Sequence, residues 1–569
     1  MIELIKESGI PLLPTRPPAT VMDINRLGSM HQCRLSFMRS LMRKVMREKW
    51  SIKPSVIKLD DHGYGVIVYR VDTGKNIYSF VLFSNHLDDD KRNDRVIAEE
   101  WDVTMTLCIG DVTRDDIDQM RENVPKQEAG RVNSKMIVLS RGNKSSRNFD
   151  YVVSELSSGH QPDKQMLTKV GYLYRTTAVY GSGKFGMADW EKVKQTCPEF
   201  ATPFSAEMFV CFMLRHFSID QAERLASIQS PSTAVAMDDD IKRYIGIGNS
   251  TGLGMAPFLI RHPKLISRWL WVREQALARI STFGDVNRDK VNKLVKIFVK
   301  AQKHLEETEV PDEIQTKRND VLKSELAQVI AFLPDFSCAN QRWDTFVEHI
   351  GTHFSFETQE VVSSSLMELY PDLVDDLEDN LTVDEHYRLQ PAMTLSELKQ
   401  IIEVSYDWAL EIDFSTKDAN HFFWYFSEEK MEPRLGDRYN EPGEDKEMPL
   451  IIGRLVRDCY NKLMDDVVEY SPNEMIAYFL LRRPELSGIV TRIQAMSAEP
   501  MGEIRGNLAD INMRPLDLLR CKLSFFGVSK FDPKSKLWVR NTMFQGAPIV
   551  SDIGKTYHDD WYFPVASGV

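Results

Sequence analysis

Four segments in the first fifth of the chain, PSVIKLD, YGVIVYRVD, NIYSFVLFS and EEWDVTMTLCIG, are rich in β-branched and aromatic residues, and DDHG and DTGK separate the first three. Such residues suit the pleated, half-buried surface of a sheet, and short Asp/Gly connections reverse the chain between strands. An antiparallel meander over residues 54–113 is therefore predicted. A helix from about Asp115 to Gln127, a strand at KMIVLS and a helix from Phe149 to Ser158 complete an α+β domain.

Beyond Phe204 the apolar spacing becomes helical, at Trp269 to Ile280, Asp289 to Glu307, Arg318 to Phe332, Ser396 to Glu411 and Leu450 to Tyr470, before KLWVRNTMF returns to a strand-like pattern. The expected fold is α+β, with an antiparallel β-containing N-terminal domain followed by a larger, mainly α-helical region. A chain of 569 residues exceeds what one core sustains. Four segments are expected: a Pro-rich arm and basic amphipathic helix over 1–50, the meander domain over 51–160, a glycine-loop and helical domain over 161–390, and a mainly helical region with terminal strands over 391–569.

The net charge of −12 argues against non-specific nucleic-acid binding, which requires basic side chains to displace phosphate counterions. The seven cysteines are scattered without a C-x-x-C pair, which points to a reducing compartment and hence the cytoplasm. No apolar run approaches bilayer-spanning length, so no membrane insertion is expected, and MIELIKESGIPLLP lacks the form of an export signal.

From Asn25 to Trp50, apolar residues recur at helical spacing beside Arg34, Arg39, Arg43, Lys44, Arg47 and Lys49. This basic helix has an internal counterpart in LMELYPDLVDDLEDNLTVDEH, where Glu368, Asp375 and Asp376 stand among other acids. Docking between the two makes the helix structural; otherwise it is free to engage an external acidic partner.

Gly181-Ser182-Gly183-Lys184-Phe185-Gly186 has the G-x-G-x-x-G spacing of phosphate-binding turns, between a strand-like LYRTTAVY and a helix-like MADWEKV. Arg175 and Lys184 add positive charge. The dinucleotide fingerprint is incomplete, because Glu207, near the position of its acidic residue, falls in a helical pattern. A Walker loop is also excluded: Ala178 stands where its first Gly is needed, and Phe185 where Ser or Thr would bind magnesium. The partner motifs of a protein kinase are missing as well. A second stretch, YIGIGNSTGLGMAP, gathers Gly248, Asn249, Ser250, Thr251, Gly252 and Gly254 into a second candidate anion-binding loop, expected to converge with the first.

HFFWYFSEEKMEPRLGDR joins an aromatic run to Glu428, Lys430 and Arg434, the candidate catalytic groups, since aromatic walls exclude water and shift the acidity of nearby carboxylates. His349 and His353 have the i, i+4 spacing of metal ligands. Ile350 replaces the glutamate of a zincin and Gly351 weakens the helix, so no metal is expected. Around Ser230-Pro231 the pattern has a helix-turn-helix layout, but no Arg or Lys precedes Asp238 in the second element, so DNA recognition is not expected. These features point to a cytoplasmic enzyme, of open reaction type, that takes a small phosphate-bearing nucleotide, coenzyme or substrate. The alternative is a non-catalytic interaction protein whose basic helix binds an acidic partner.

Overall fold

A computed structural model describes residues 12–27, 31–88, 100–126, 134–145, 147–176, 193, 195–251, 263–308, 310, 312–338, 342–381, 388–413, 423–427, 433–436, 444–449, 451–503, 520–533 and 539–566. Its strands are β1 (Ser51–Leu59), β2 (Gly65–Asp72), β3 (Ile77–Ser84), β4 (Val103–Ile109), β5 (Met136–Lys144), β6 (Tyr172–Thr176), β7 (Gly246–Thr251), β8 (Phe423–Ser427), β9 (Pro433–Gly436), β10 (Glu444–Pro449), β11 (Lys530–Pro533) and β12 (Val539–Met543). Nine of them form one sheet in the order β1-β2-β3-β4-β5-β6-β7-β12-β11, and three form another in the order β10-β8-β9. The fold is α+β, with the expected N-terminal meander followed by a mainly helical region. The chain divides into two compact units, each assembled from separated stretches.

The unit comprising Ser29–Gly252, Gly284–Asp375 and Arg520–Val569 holds the large sheet. Its first two reversals follow the expected chemistry. Asp60 Oδ1 accepts the amides of His62 (2.9 Å) and Tyr64 (2.8 Å), and Asp72 Oδ1 accepts that of Gly74 (2.9 Å). Alternation along β2 and β3 then sends Val66, Val68, Val81 and Phe83 to one face, with Ile117 and Met120 of the helix Arg114–Lys126. On the other face lies the helix Ser205–Gln229, where Tyr174 donates to Gln221 (2.7 Å) and Tyr69 to Asp220 (3.1 Å).

The basic segment is not one continuous helix. It forms Ile24–Leu27 and Phe37–Arg47, interrupted by extended backbone at Ser36 (ψ 145°). Nine of the eleven residues of Phe37–Arg47 are buried, Arg39 and Arg43 included, while Arg47 is exposed. Arg34 is paired with Asp375 (2.7 Å), Glu368 (3.2 Å) and Asp559 (3.2 Å). Arg39 binds Glu368 through both terminal nitrogens and approaches Asp559 (3.0 Å), while Arg43 meets Asp559 (2.8 Å). Three guanidinium groups thus face three carboxylates, and the cluster is electrically balanced. Its cations hold the Asp559 carboxyl, despite burial, well below the ordinary range. The acidic segment docks through Glu368 and Asp375; Asp376 pairs instead with Arg279 (2.8 Å), and the third acid comes from the C-terminal stretch.

That stretch also buries His304, whose Nδ1 lies 2.7 Å from the Pro564 carbonyl. Burial pushes the imidazole down to about 4 from an ordinary 6.5. The unfolded chain therefore binds this proton more tightly, so His304 stabilises the fold above pH 6.5 and the contribution is lost as pH falls through about 4. Wild type should lose up to about 3 kcal/mol more stability than His304→Gln between pH 7 and pH 4. Parallel stability–pH curves for the two proteins would reject this role.

The other unit, from Met1–Gly28, Leu253–Phe283 and Asp376–Leu519, is built on helices Pro263–Phe283, Leu395–Ser405, Ile451–Glu469, Ile476–Arg482 and Ser487–Ala498, with the three-stranded sheet. Leu398, Ile402, Tyr406, Val456, Leu463, Phe479 and Ile493 belong to its core. Thr394 and Glu397 form a capping box that starts the Leu395–Ser405 helix. The turn expected at Ser230-Pro231 exists, but the preceding helix runs for 25 residues and the next begins only at Asp239, so the helix-turn-helix layout is absent there.

Candidate functional site

Among the described strands of the large sheet, β6 and β7 are the parallel neighbours. The Ser205–Gln229 helix lies between them in sequence and rests on β4 to β7, which makes a βαβ crossover. Parallel strands finish at the same end. Arg175 stands opposite Gly248, and Asn249 Nδ2 donates to the Thr176 carbonyl (2.9 Å), tying the last residue of β6 to β7. In the sequence, Gly181, Gly183, Lys184 and Gly186 follow β6, and Gly252 and Gly254 follow β7. These six residues lie outside the described part of the chain.

Gly248, Asn249, Ser250 and Thr251 were expected in a loop; they belong instead to β7, paired with β6 on one side and β12 on the other. The reason is steric. A Cβ at Gly248 would come within 2.6 Å of the Tyr172 ring, and one at Gly246 within 2.5 Å of the Met543 carbonyl oxygen, so glycine lets the neighbours close. Polar side chains are buried in this part of the sheet: Asn249 and Asn541 face each other across strands, and Ser140 and Thr176 share a 2.9 Å hydrogen bond. Asn143, opposite Arg175, accepts the Asp102 amide (3.0 Å), but its Nδ2 has no partner among the described residues. An unpaired buried donor marks a place for a water or ligand acceptor.

Of the catalytic candidates, Arg434 lies in β9 opposite Tyr425, and Glu428 and Lys430 fall outside the described residues. The His349 ring stacks on Phe332 and on His353, each at 4.4 Å. Among the described residues, no group of three or more His, Cys, Asp or Glu side chains is placed to hold a metal.

A cleft of about 330 Å³ opens elsewhere on the same unit. Phe212, Arg215, His216, Ile219 and Asp220 line it from one stripe of the Ser205–Gln229 helix, at spacings of three and four, against Ile52 and Pro54 of β1, Lys242, and Ile549 to Ser551. His216 Nε2 lies 3.4 Å from Asp220 Oδ2, which also accepts the Tyr69 hydroxyl. Burial lowers the His216 pKa from 6.5, Asp220 opposing and Arg215 and Lys242 assisting, so the imidazole is neutral at pH 7. Burial raises that of Asp220, partly offset by His216. The i, i+4 His/Asp spacing in HFSID was the only sequence signal for this arrangement.

Arg215 is fully enclosed and donates to the carbonyls of Lys242, Arg243, Ile245, Ala547 and Pro548. Three of these end the helix Asp239–Tyr244, so the guanidinium closes its C-terminus. No protein-family model, curated protein or solved structure matches this chain.

Proposed function

We propose that this chain is an enzyme binding a phosphate-bearing nucleotide, coenzyme or substrate at the end of the sheet where β6 and β7 finish. The observation that supports this reading is their parallel pairing, which starts two glycine-rich stretches of sequence from adjacent positions on one edge. Ligands of open sheets with parallel strands sit beyond the carboxyl ends of those strands, where glycines let backbone amides approach an anion. Arg175 and Asn143, whose Nδ2 has no partner among the described residues, occur in the same cross-strand row. Cys33, Cys108, Cys197, Cys211 and Cys459 are free thiols, as suits a cytoplasmic setting.

The second reading, in which the basic helix recruits an acidic partner, loses support because Arg34, Arg39 and Arg43 are buried in internal ion pairs. Titration calorimetry with ATP, NAD, FMN and coenzyme A tests the proposal. Lys184→Ala should weaken the bound member by about 1.5–3 kcal/mol, as for a lost charge-assisted hydrogen bond, without changing the melting temperature. Equal affinity in the two proteins would remove Lys184 from the site.

A further inference from the structure

The cleft on the Ser205–Gln229 helix is separate from the β6/β7 end, because Arg215 in its wall binds Ile245, just before β7 begins. Its size is at the lower end of small-molecule sites, and Ile52, Phe212, Ile219 and Ile549 make much of its wall apolar. The polar groups are few and close together. Asp220 Oδ2 is occupied by Tyr69 and faces His216 Nε2, which favours the tautomer protonated at Nε2. His216 Nδ1 and Asp220 Oδ1 are then acceptors, and neither has a hydrogen-bond partner among the described residues.

Charge narrows the ligand further. The Arg215 charge is surrounded by five carbonyl oxygens, and Lys242 is paired with Glu223 at 2.9 Å, so neither offers an open anion site. Asp220 opposes an anion, and the two nearby cations oppose an ammonium group. We infer that this cleft binds a small, neutral, mainly apolar molecule carrying a hydroxyl group, with the hydroxyl donating to the His216–Asp220 pair and the hydrocarbon body against Phe212 and Ile219. This site does not depend on the phosphate-site reading.

Phenol is a suitable probe, with toluene, benzoate and benzylamine as controls, in ligand-observed NMR and in protein-observed spectra of the full chain labelled with 13C at the histidine Cε1 position. Phenol should saturate, bind more tightly than each control, and move the His216 Cε1 resonance. His216→Gln should weaken phenol about five- to tenfold, the range of one neutral hydrogen bond. Ile219→Trp, which fills the cleft, should abolish binding, and Lys184→Ala should leave it unchanged. The direct His216 shift keeps the test valid if Ile219→Trp does not fold. Binding of toluene as tight as phenol, preference for either charged control, an unmoved His216 resonance, or no saturation would each overturn the inference.

Discussion

Glu368→Gln should lower the stability of the large-sheet unit by about 3–5 kcal/mol, because it leaves a buried arginine without its counter-charge. Arg39 is 0% exposed and binds both Glu368 oxygens, the second at 2.9 Å, while Arg34 takes the same carboxylate at 3.2 Å. Asp559→Asn should have a similar effect, since Asp559 meets Arg34, Arg39 and Arg43. Hydrogen exchange of the β2–β4 amides reads this unit without requiring the whole chain to unfold in one step. Replacing Arg39 and Glu368 together by Met and Leu should recover much of the loss, because a packed apolar pair removes both desolvation penalties. A loss below about 1 kcal/mol for Glu368→Gln, as for a solvent-exposed pair, would show that water reaches the cluster.

Arg215→Leu should cost about 4 kcal/mol. The carbonyls of Lys242, Ile245, Ala547 and Pro548 lose the guanidinium at once while that of Arg243 keeps the Gly546 amide (2.8 Å), and each buried orphan acceptor costs about 1–3 kcal/mol, offset in part by the relief of a buried charge. Burial pushes the guanidinium pKa down to about 9, while the carbonyl dipoles favour the charged form, so it remains protonated at neutral pH. Arg215→Lys should recover less than half of the loss, since an ammonium group has three donors and lacks the planar fork. Loss of protection should concentrate in Asp239–Tyr244 and in the turn at Ala547–Pro548, the elements this side chain connects. Unchanged protection in both would mean that water replaces the guanidinium there.

The site was less legible than the fold because its geometry depends on pairing between distant segments. The G-x-G-x-x-G spacing is visible in sequence, but the glycines of YIGIGNST carry the same local signal whether they turn or pack in a strand. Tyr172 and Met543 decide the matter, and they lie 76 and 297 positions from Gly248 and Gly246, respectively.

 Contacts at such distances leave no trace in a local pattern. The same holds for the cleft, where Tyr69 and Ile549 meet a helix whose own spacing reveals only His216 and Asp220.

The amino-acid sequence by itself determined the meander, its two Asp-led reversals and the main helices, because strand alternation, helical spacing and turn chemistry act over a few residues. It also identified the acidic segment as the counterpart of the basic one, since opposite charge is a property of composition. Only the tertiary structure decided which acids serve: Glu368 and Asp375 dock, Asp376 turns to Arg279, and Asp559 arrives from the C-terminal stretch. Burial removes water from these charges, so each must be matched by the particular partner that the fold brings within reach.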